Sequence, residues 1–167
     1  MSSESAVLVT GASTGIGAVY AERFARRGHD LVLVARNHER LTALAERLRD
    51  ETGVQVDILQ ADLTQDSDIA AVEQRLREDA RIRILVNNAG TSIPGDFLHQ
   101  SSDDITRLIT LNVTSVARLA NAIAPRLAEA GEGAIVNIAS VVGLGPEMGL
   151  TVYGATKAFV LFLSQGL

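Results

Sequence analysis

Ala6 to Gly17 reads AVLVTGASTGIG, and Val19 to Arg27 follows with apolar residues at helical spacing. A short valine-rich apolar run, three glycines and an amphipathic segment predict strand, glycine loop and helix in that order. Glycines at positions 11, 15 and 17 permit a tight turn. They also let the backbone approach a phosphate group at the positive end of the helix. The spacing G-x-x-x-G-x-G differs from G-x-G-x-x-G, and no Gly-Lys-Ser/Thr ending follows, which disfavours kinase or NTPase chemistry.

Working outward, Leu31 to Ala35 (LVLVA) is continuously apolar, as a strand buried on both faces of a parallel sheet should be. Leu41, Leu44, Ala45 and Leu48 mark one helix face. Val54, Val56 and Ile58 alternate with neighbours of a different kind, which predicts a half-exposed edge strand ending at Asp62-Leu63-Thr64. A helix from Asp66 to Asp79 and a strand from Ile82 to Val86 come next, then Asn87-Asn88-Ala89-Gly90. Ser101-Ser102-Asp103-Asp104 is an N-cap cluster. It opens a long helix carrying Ile105, Leu108, Ile109, Val113, Val116, Ala120 and Ile123. Pro125 should kink that helix or begin its final turn. Ala134 to Ala139 is a fifth strand, and a loop from Gly143 to Gly149 leads to a last helix near Tyr153. Alternating strands and helices imply one α/β domain over residues 1–167. Its expected core is a Rossmann-like, doubly wound parallel sheet with five strands in the order 3-2-1-4-5.

The chain has 167 residues, 47% hydrophobic and 21% charged, with a formal net charge of -5. That balance offers no basic stripe for nucleic acid. The absence of cysteine excludes disulfides and thiolate metal sites. His29, His38 and His99 are scattered, so no metal site is proposed. Met1 to Ser5 has no basic leader and no stretch approaches a membrane span, so a cytoplasmic location is expected.

The chemistry is placed in the last quarter of the chain, where Ser140 precedes Tyr153-Gly154-Ala155-Thr156-Lys157. Residues four apart share a helix face, which brings the Lys157 ammonium to the Tyr153 phenol. Bringing a phenol from about pH 10 to near neutrality needs roughly 4 kcal/mol of preference for phenolate. A lysine at about 4 Å supplies about 1 kcal/mol in water and about 4 at an effective dielectric near 20, so the pair needs a partly dry cleft. Lys157 is also the only lysine, the other fourteen basic residues being arginine. In dinucleotide folds the end of the second strand reads the adenosine ribose. Here it reads Val34-Ala35-Arg36-Asn37, with no carboxylate, which favours NADP(H) over NAD(H) and makes Arg36 the 2′-phosphate partner.

With these pieces assembled, the chain resembles the short-chain dehydrogenase/reductase family, short type. The ordered set is Thr10-Gly11-x-x-x-Gly15-Ile16-Gly17, Asp62, Asn87-Asn88-Ala89-Gly90, Asn112, and Ser140 with Tyr153-x-x-x-Lys157. The resemblance implies hydride transfer between NADP(H) and the carbonyl or secondary alcohol of a small substrate. Tyr153 would be the general acid/base, Lys157 would lower its pKa and hold the nicotinamide ribose, and Ser140 would orient the substrate oxygen. Asn112 would hold a water in the relay to Lys157. Cofactor contacts would come from Gly11, Ser13, Thr14, Gly15, Ile16, Gly17, Arg36, Asp62, Leu63, Asn88, Ala89, Gly90, Tyr153 and Lys157, with Asp62 at the adenine.

The order 3-2-1-4-5-6 wants a sixth strand, and the family adds a seventh and a covering segment. The expectation is therefore a domain incomplete at its C-terminus, with an apolar edge prone to association. The family's dimers and tetramers would form if that part is present. A non-catalytic dinucleotide-binding or interaction fragment is the competing reading, with an extended-type sugar epimerase weaker still. Ile93, Pro94, Phe97, Val142, Leu144 and Met148 could line an apolar substrate pocket, whose occupant the sequence does not identify.

Overall fold

The computed structural model describes residues 5–93 and 95–167, so Met1–Glu4 and Pro94 lie outside the described residues. The elements run β1 (Ala6–Thr10), α1 (Gly15–Ala25), β2 (Asp30–Ala35), α2 (His38–Thr52), β3 (Val56–Gln60), α3 (Asp66–Glu78) and β4 (Ile82–Asn87). They continue with α4 (Ser102–Ile109), α5 (Ser115–Ala130), β5 (Ala134–Asn137) and α6 (Thr151–Gly166). All strand pairings are parallel and the order is β3-β2-β1-β4-β5.

Alternation along the central strands sends successive side chains to opposite faces, and that builds two core layers. Leu8, Val32 and Val34 pack with Leu76 of α3 and with Leu119 and Ile123 of α5. Val7, Val9, Leu31 and Leu33 pack with Ala21 of α1 and with Leu41 and Leu48 of α2. Continuous apolar runs in β1 and β2 are thereby explained, since every residue of both strands is buried. As the alternating pattern predicts, β3 is an edge strand of intermediate exposure.

Helix starts follow the cap chemistry. Asn37 Oδ1 accepts from the Arg40 amide at 2.9 Å to open α2, and Ser101 Oγ accepts from the Asp104 amide at 3.1 Å to open α4. Helix α1 differs: Thr14 makes no side-chain cap bond there.

Two expectations need correction. Helix α1 starts at Gly15, so Gly15 and Gly17 belong to its first turn instead of a preceding loop. Pro125 does not begin a separate final turn, since α5 runs through it to Ala130. Its missing donor leaves the carbonyl of Asn121, an exposed residue, free to meet water. The irregularity sits instead at Thr110–Thr114, a π turn joining α4 to α5.

Candidate active site

A cleft of about 1470 Å³ runs along the C-terminal ends of the strands, where ligands bind in open α/β sheets. The glycine loop is fitted to the segment beside it. Asn88 Nδ2 donates to the carbonyls of Thr10 (2.9 Å) and Gly11 (3.2 Å), and the amides of Asn88 and Ala89 both donate to Thr10 Oγ1 at 3.0 Å. Gly11 has φ +64°, and a Cβ there would lie 2.8 Å from Asn88 Nδ2 and 3.0 Å from Ala89 Cα. A Cβ on Gly17 would collide with the Gly11 carbonyl oxygen. Gly15 (φ +56°) faces open space. The glycines thus let strand, turn and helix close on one another. They leave the uncapped start of α1 facing the cleft, where Gly11, Ser13, Thr14 and Ile16 line the wall.

At one end of the cleft lie Val34, Ala35, Arg36, Asn37 and Arg40. Most arginines of this chain are paired, but the guanidinium groups of Arg36 and Arg40 have no hydrogen-bond or ion-pair partner among the described residues. Asp62 and Leu63 line the same end. One carboxylate oxygen of Asp62 is already engaged, since Oδ1 accepts from the Thr64 amide (3.0 Å) and hydroxyl (2.8 Å).

At the other end stand Gly90, Ser140, Tyr153 and Lys157. The hydroxyls of Ser140 and Tyr153 have no hydrogen-bond partner among the described residues. Lys157 is 6% exposed, with Nζ donating to the Ile138 carbonyl at 2.6 Å and lying 5.9 Å from the centre of the Tyr153 ring. Burial pushes its ammonium below the ordinary lysine range. The lysine of the pair is therefore in a dry setting, while Tyr153 is half-buried. Asn112, 1% exposed, sits in the π turn, a feature frequent at functional sites. Its Oδ1 accepts from the Thr91 amide (3.0 Å), and its Nδ2 donates to the Thr91 carbonyl (2.8 Å) and to Thr156 Oγ1 (3.1 Å). Both amide hydrogens are used, and one lone pair of Oδ1 remains. A Cβ on Gly90 would lie 3.2 Å from that oxygen and 3.6 Å from Lys157 Nζ, so the two groups converge on this glycine.

Thr10 stood in the quoted motif without a role, and its buried hydroxyl ties the turn to Asn88 and Ala89. Beyond it, sequence reasoning missed two residues. Arg40 was signalled only by its spacing, one helical turn beyond Arg36. His99, expected to be unremarkable, lines the cleft and bonds Asp96 at 3.1 Å, and nothing in its sequence context indicated that. Of the residues expected in an apolar substrate pocket, Ile93 lines the main cleft. Val142 and Met148 line a separate small cavity. Phe97 and Leu144 are exposed, and Pro94 lies outside the described residues.

A parallel sheet with glycine turn, helix start and Tyr-Lys pair along one cleft defines a dinucleotide-binding α/β protein of the dehydrogenase type. The family model for short chain dehydrogenases matches residues 5–167, and the chain belongs to that family. It is 69% identical to a short-chain dehydrogenase from Sphingobium yanoikuyae solved in complex with NADPH, with a TM-score of 0.96, covering 98% of this chain and 64% of that one. A bulky-bulky ketone specific alcohol dehydrogenase from Comamonas testosteroni is 62% identical, with a TM-score of 0.96, over 98% of this chain and 65% of that one. Very-long-chain 3-oxoacyl-CoA reductase-A of Danio rerio is 40% identical over 164 residues, 96% of this chain and 51% of that protein. The chain thus spans about half the length of that curated relative.

Proposed function

We propose that this chain carries the cofactor-binding and catalytic residues of an NADP(H)-dependent oxidoreductase acting on a ketone or secondary alcohol. The observation that carries this reading is the convergence of unbonded Tyr153 and Ser140 hydroxyls with buried Lys157 in the cleft that begins at the glycine turn. The cleft suits a dinucleotide: an uncapped helix start would receive its pyrophosphate, and the unpaired Arg36 and Arg40 would receive a 2′-phosphate. Asp62 has one free carboxylate oxygen for the adenosine, with Leu63, Asn88 and Ala89 forming the floor. When bound, NADP(H) supplies the hydride chemistry.

In the reducing direction Tyr153 Oη donates its proton to the carbonyl oxygen, and Ser140 Oγ donates a hydrogen bond that orients the same oxygen. Lys157 places its Nζ beside the Tyr153 ring and would hold the nicotinamide ribose. Asn112 fixes the Thr91 backbone and, through the Thr156 hydroxyl, the residue next to Lys157. The water assigned to it would rest on its remaining Oδ1 lone pair or on its own carbonyl. The bulky-bulky ketone specificity of the C. testosteroni enzyme makes ketones with two large substituents the first to screen. A cytoplasmic location and a dimer or tetramer are part of this reading.

The test is a titration with NADPH and NADH, followed by ketone reduction with wild type and Tyr153→Phe. Preferential NADPH binding in both proteins, with turnover in the wild type reduced at least about a hundredfold by the substitution, is the expected result. Failure to bind either nucleotide, or undiminished turnover in Tyr153→Phe, would overturn the reading.

A further inference from the structure

The geometry points to Thr156 as a positioning residue that locks the helix carrying Tyr153 and Lys157 onto the π turn. This assignment rests on the oxidoreductase reading above. Thr156 is 3% exposed, and its hydroxyl is bonded in both directions: Oγ1 donates to the Tyr153 carbonyl at 2.7 Å and accepts from Asn112 Nδ2 at 3.1 Å. Its acceptor is thus the backbone of the residue bearing the phenol, and its donor is the side chain that also grips Thr91 at both amide and carbonyl. One hydroxyl thereby couples three segments that meet at the cleft: the turn after β4, the π turn and α6.

The coupling has few substitutes. Among the described residues, the side-chain hydrogen bonds joining α6 to other elements are Asn112–Thr156, Lys157–Ile138 and Asn137–Ser164. The last lies near the far end of the helix. Lys157–Ile138 belongs to the catalytic lysine itself, so Thr156 is the non-catalytic tie at the reacting end. Replacing its hydroxyl with a methyl keeps the shape but strands a buried Asn112 N–H, whose loss of a partner favours a shift of one segment against the other. Small displacements matter because proton transfer requires Tyr153 Oη within hydrogen-bond reach of the substrate oxygen.

Because Lys157 is the only lysine, acylation of the intact protein by an amine-reactive reagent, read by mass spectrometry on the peptide containing residue 157, reports the seating of α6 without any need for turnover. The comparison is wild type, Thr156→Val and Thr156→Ser, with Thr156→Ala replacing Thr156→Val if the latter does not fold. Slow acylation is expected in wild type and Thr156→Ser, and clearly faster acylation in the variant lacking the hydroxyl, measured where all proteins remain folded. In ketone reduction, kcat should fall about tenfold in that variant, with most of the rate restored in Thr156→Ser. A wild-type acylation rate without the hydroxyl, or an unchanged kcat in an active enzyme, overturns the assignment. Absence of turnover in the wild type itself would count against the oxidoreductase reading alone, and the acylation rates would still decide the role of Thr156.

Discussion

Strands β2 and β5 are alike in sequence and unlike in circumstance. Both are apolar runs in a parallel sheet, yet every residue of β2 is buried whereas β5 runs from exposed to intermediate. Neighbours make the difference, since among the described residues β2 lies between β1 and β3 while β5 pairs with β4 alone. The surface around β5 continues the contrast: Phe162 of α6 is 82% exposed, Leu144 75% and Val141 66%. The strands behind the adenosine side of the cleft are thus enclosed by the chain's own packing, with Arg36 and Arg40 exposed beyond them. On the catalytic side, α6 packs closely against Val141–Leu144, where a Cβ on Gly143 would strike Ala158 and Lys157, and a few polar bonds add to that packing. Apolar burial gives rigidity where the cofactor would be gripped, and hydrogen bonds give directional placement where a proton would be moved.

The largest effect should come from truncating matched side chains in the two regions. Leu33→Ala, at a fully buried position, is expected to cost about 3 kcal/mol, and Ile135→Ala in half-buried β5 about 1. Urea unfolding would show the difference as a shift in midpoint at constant slope. Equal losses would mean that β5 is as enclosed as β2, and the contrast would fail.

A smaller effect sharpens the division of labour along the cleft. Arg36→Ala and Arg40→Ala should each weaken NADPH binding about tenfold, the equivalent of about 1.4 kcal/mol. NADH affinity, turnover chemistry and the seating of Lys157 should hold, because both exposed arginines lie at the opposite end of the cleft from Lys157. Calorimetric titration of the two nucleotides checks this. Equal loss of NADPH and NADH affinity would make the arginines general anchors, with no part in reading the 2′-phosphate.

The same contrast explains what the sequence made legible. Strand order, the edge position of β3 and the glycine turn follow from apolar runs and glycine spacing, which are local signals with one dominant structural outcome. A dry setting for Lys157 was anticipated because a lysine can act on the Tyr153 phenol only in a partly dry cleft. The π turn at Thr110–Thr114 left no such signal, since a shift to i→i+5 bonding alters no residue pattern and Pro125 supplied a louder false one. Thr156 was likewise hidden. A threonine within a helix commonly bonds back to a nearby carbonyl, and only the tertiary approach of Asn112 distinguishes this one from Thr42 or Thr106, which bond back in the same way.

The smallest expected effect lies away from the cleft, at the end of α3, where Asp79 is held by Arg81 and Arg75. Its carboxyl is pushed down to about 2 first by its hydrogen bond from the Arg81 side chain, with further lowering from the Arg81 amide and charge and from Arg75, against the raising effect of burial. A carboxyl depressed in the folded state binds fewer protons there than in the unfolded chain. Its contribution is therefore present above the unfolded pKa of about 4 and is lost as pH falls toward 2. Solvent screening reduces the benefit to about 1 kcal/mol. Lys157 acts with the opposite sign at the catalytic edge: burial disfavours its charge, a cost present below the ordinary lysine pKa and relieved only as pH rises toward it. The acid limb between pH 4 and 2 therefore reports Asp79 without interference from the lysine. Denaturation of wild type and Asp79→Asn should differ by about 1 kcal/mol at pH 6 and converge near pH 2. A gap that persists at pH 2 would assign the loss to the geometry of the Arg75–Asp79–Arg81 cluster instead of its charge, leaving the enclosed side stabilised by packing alone.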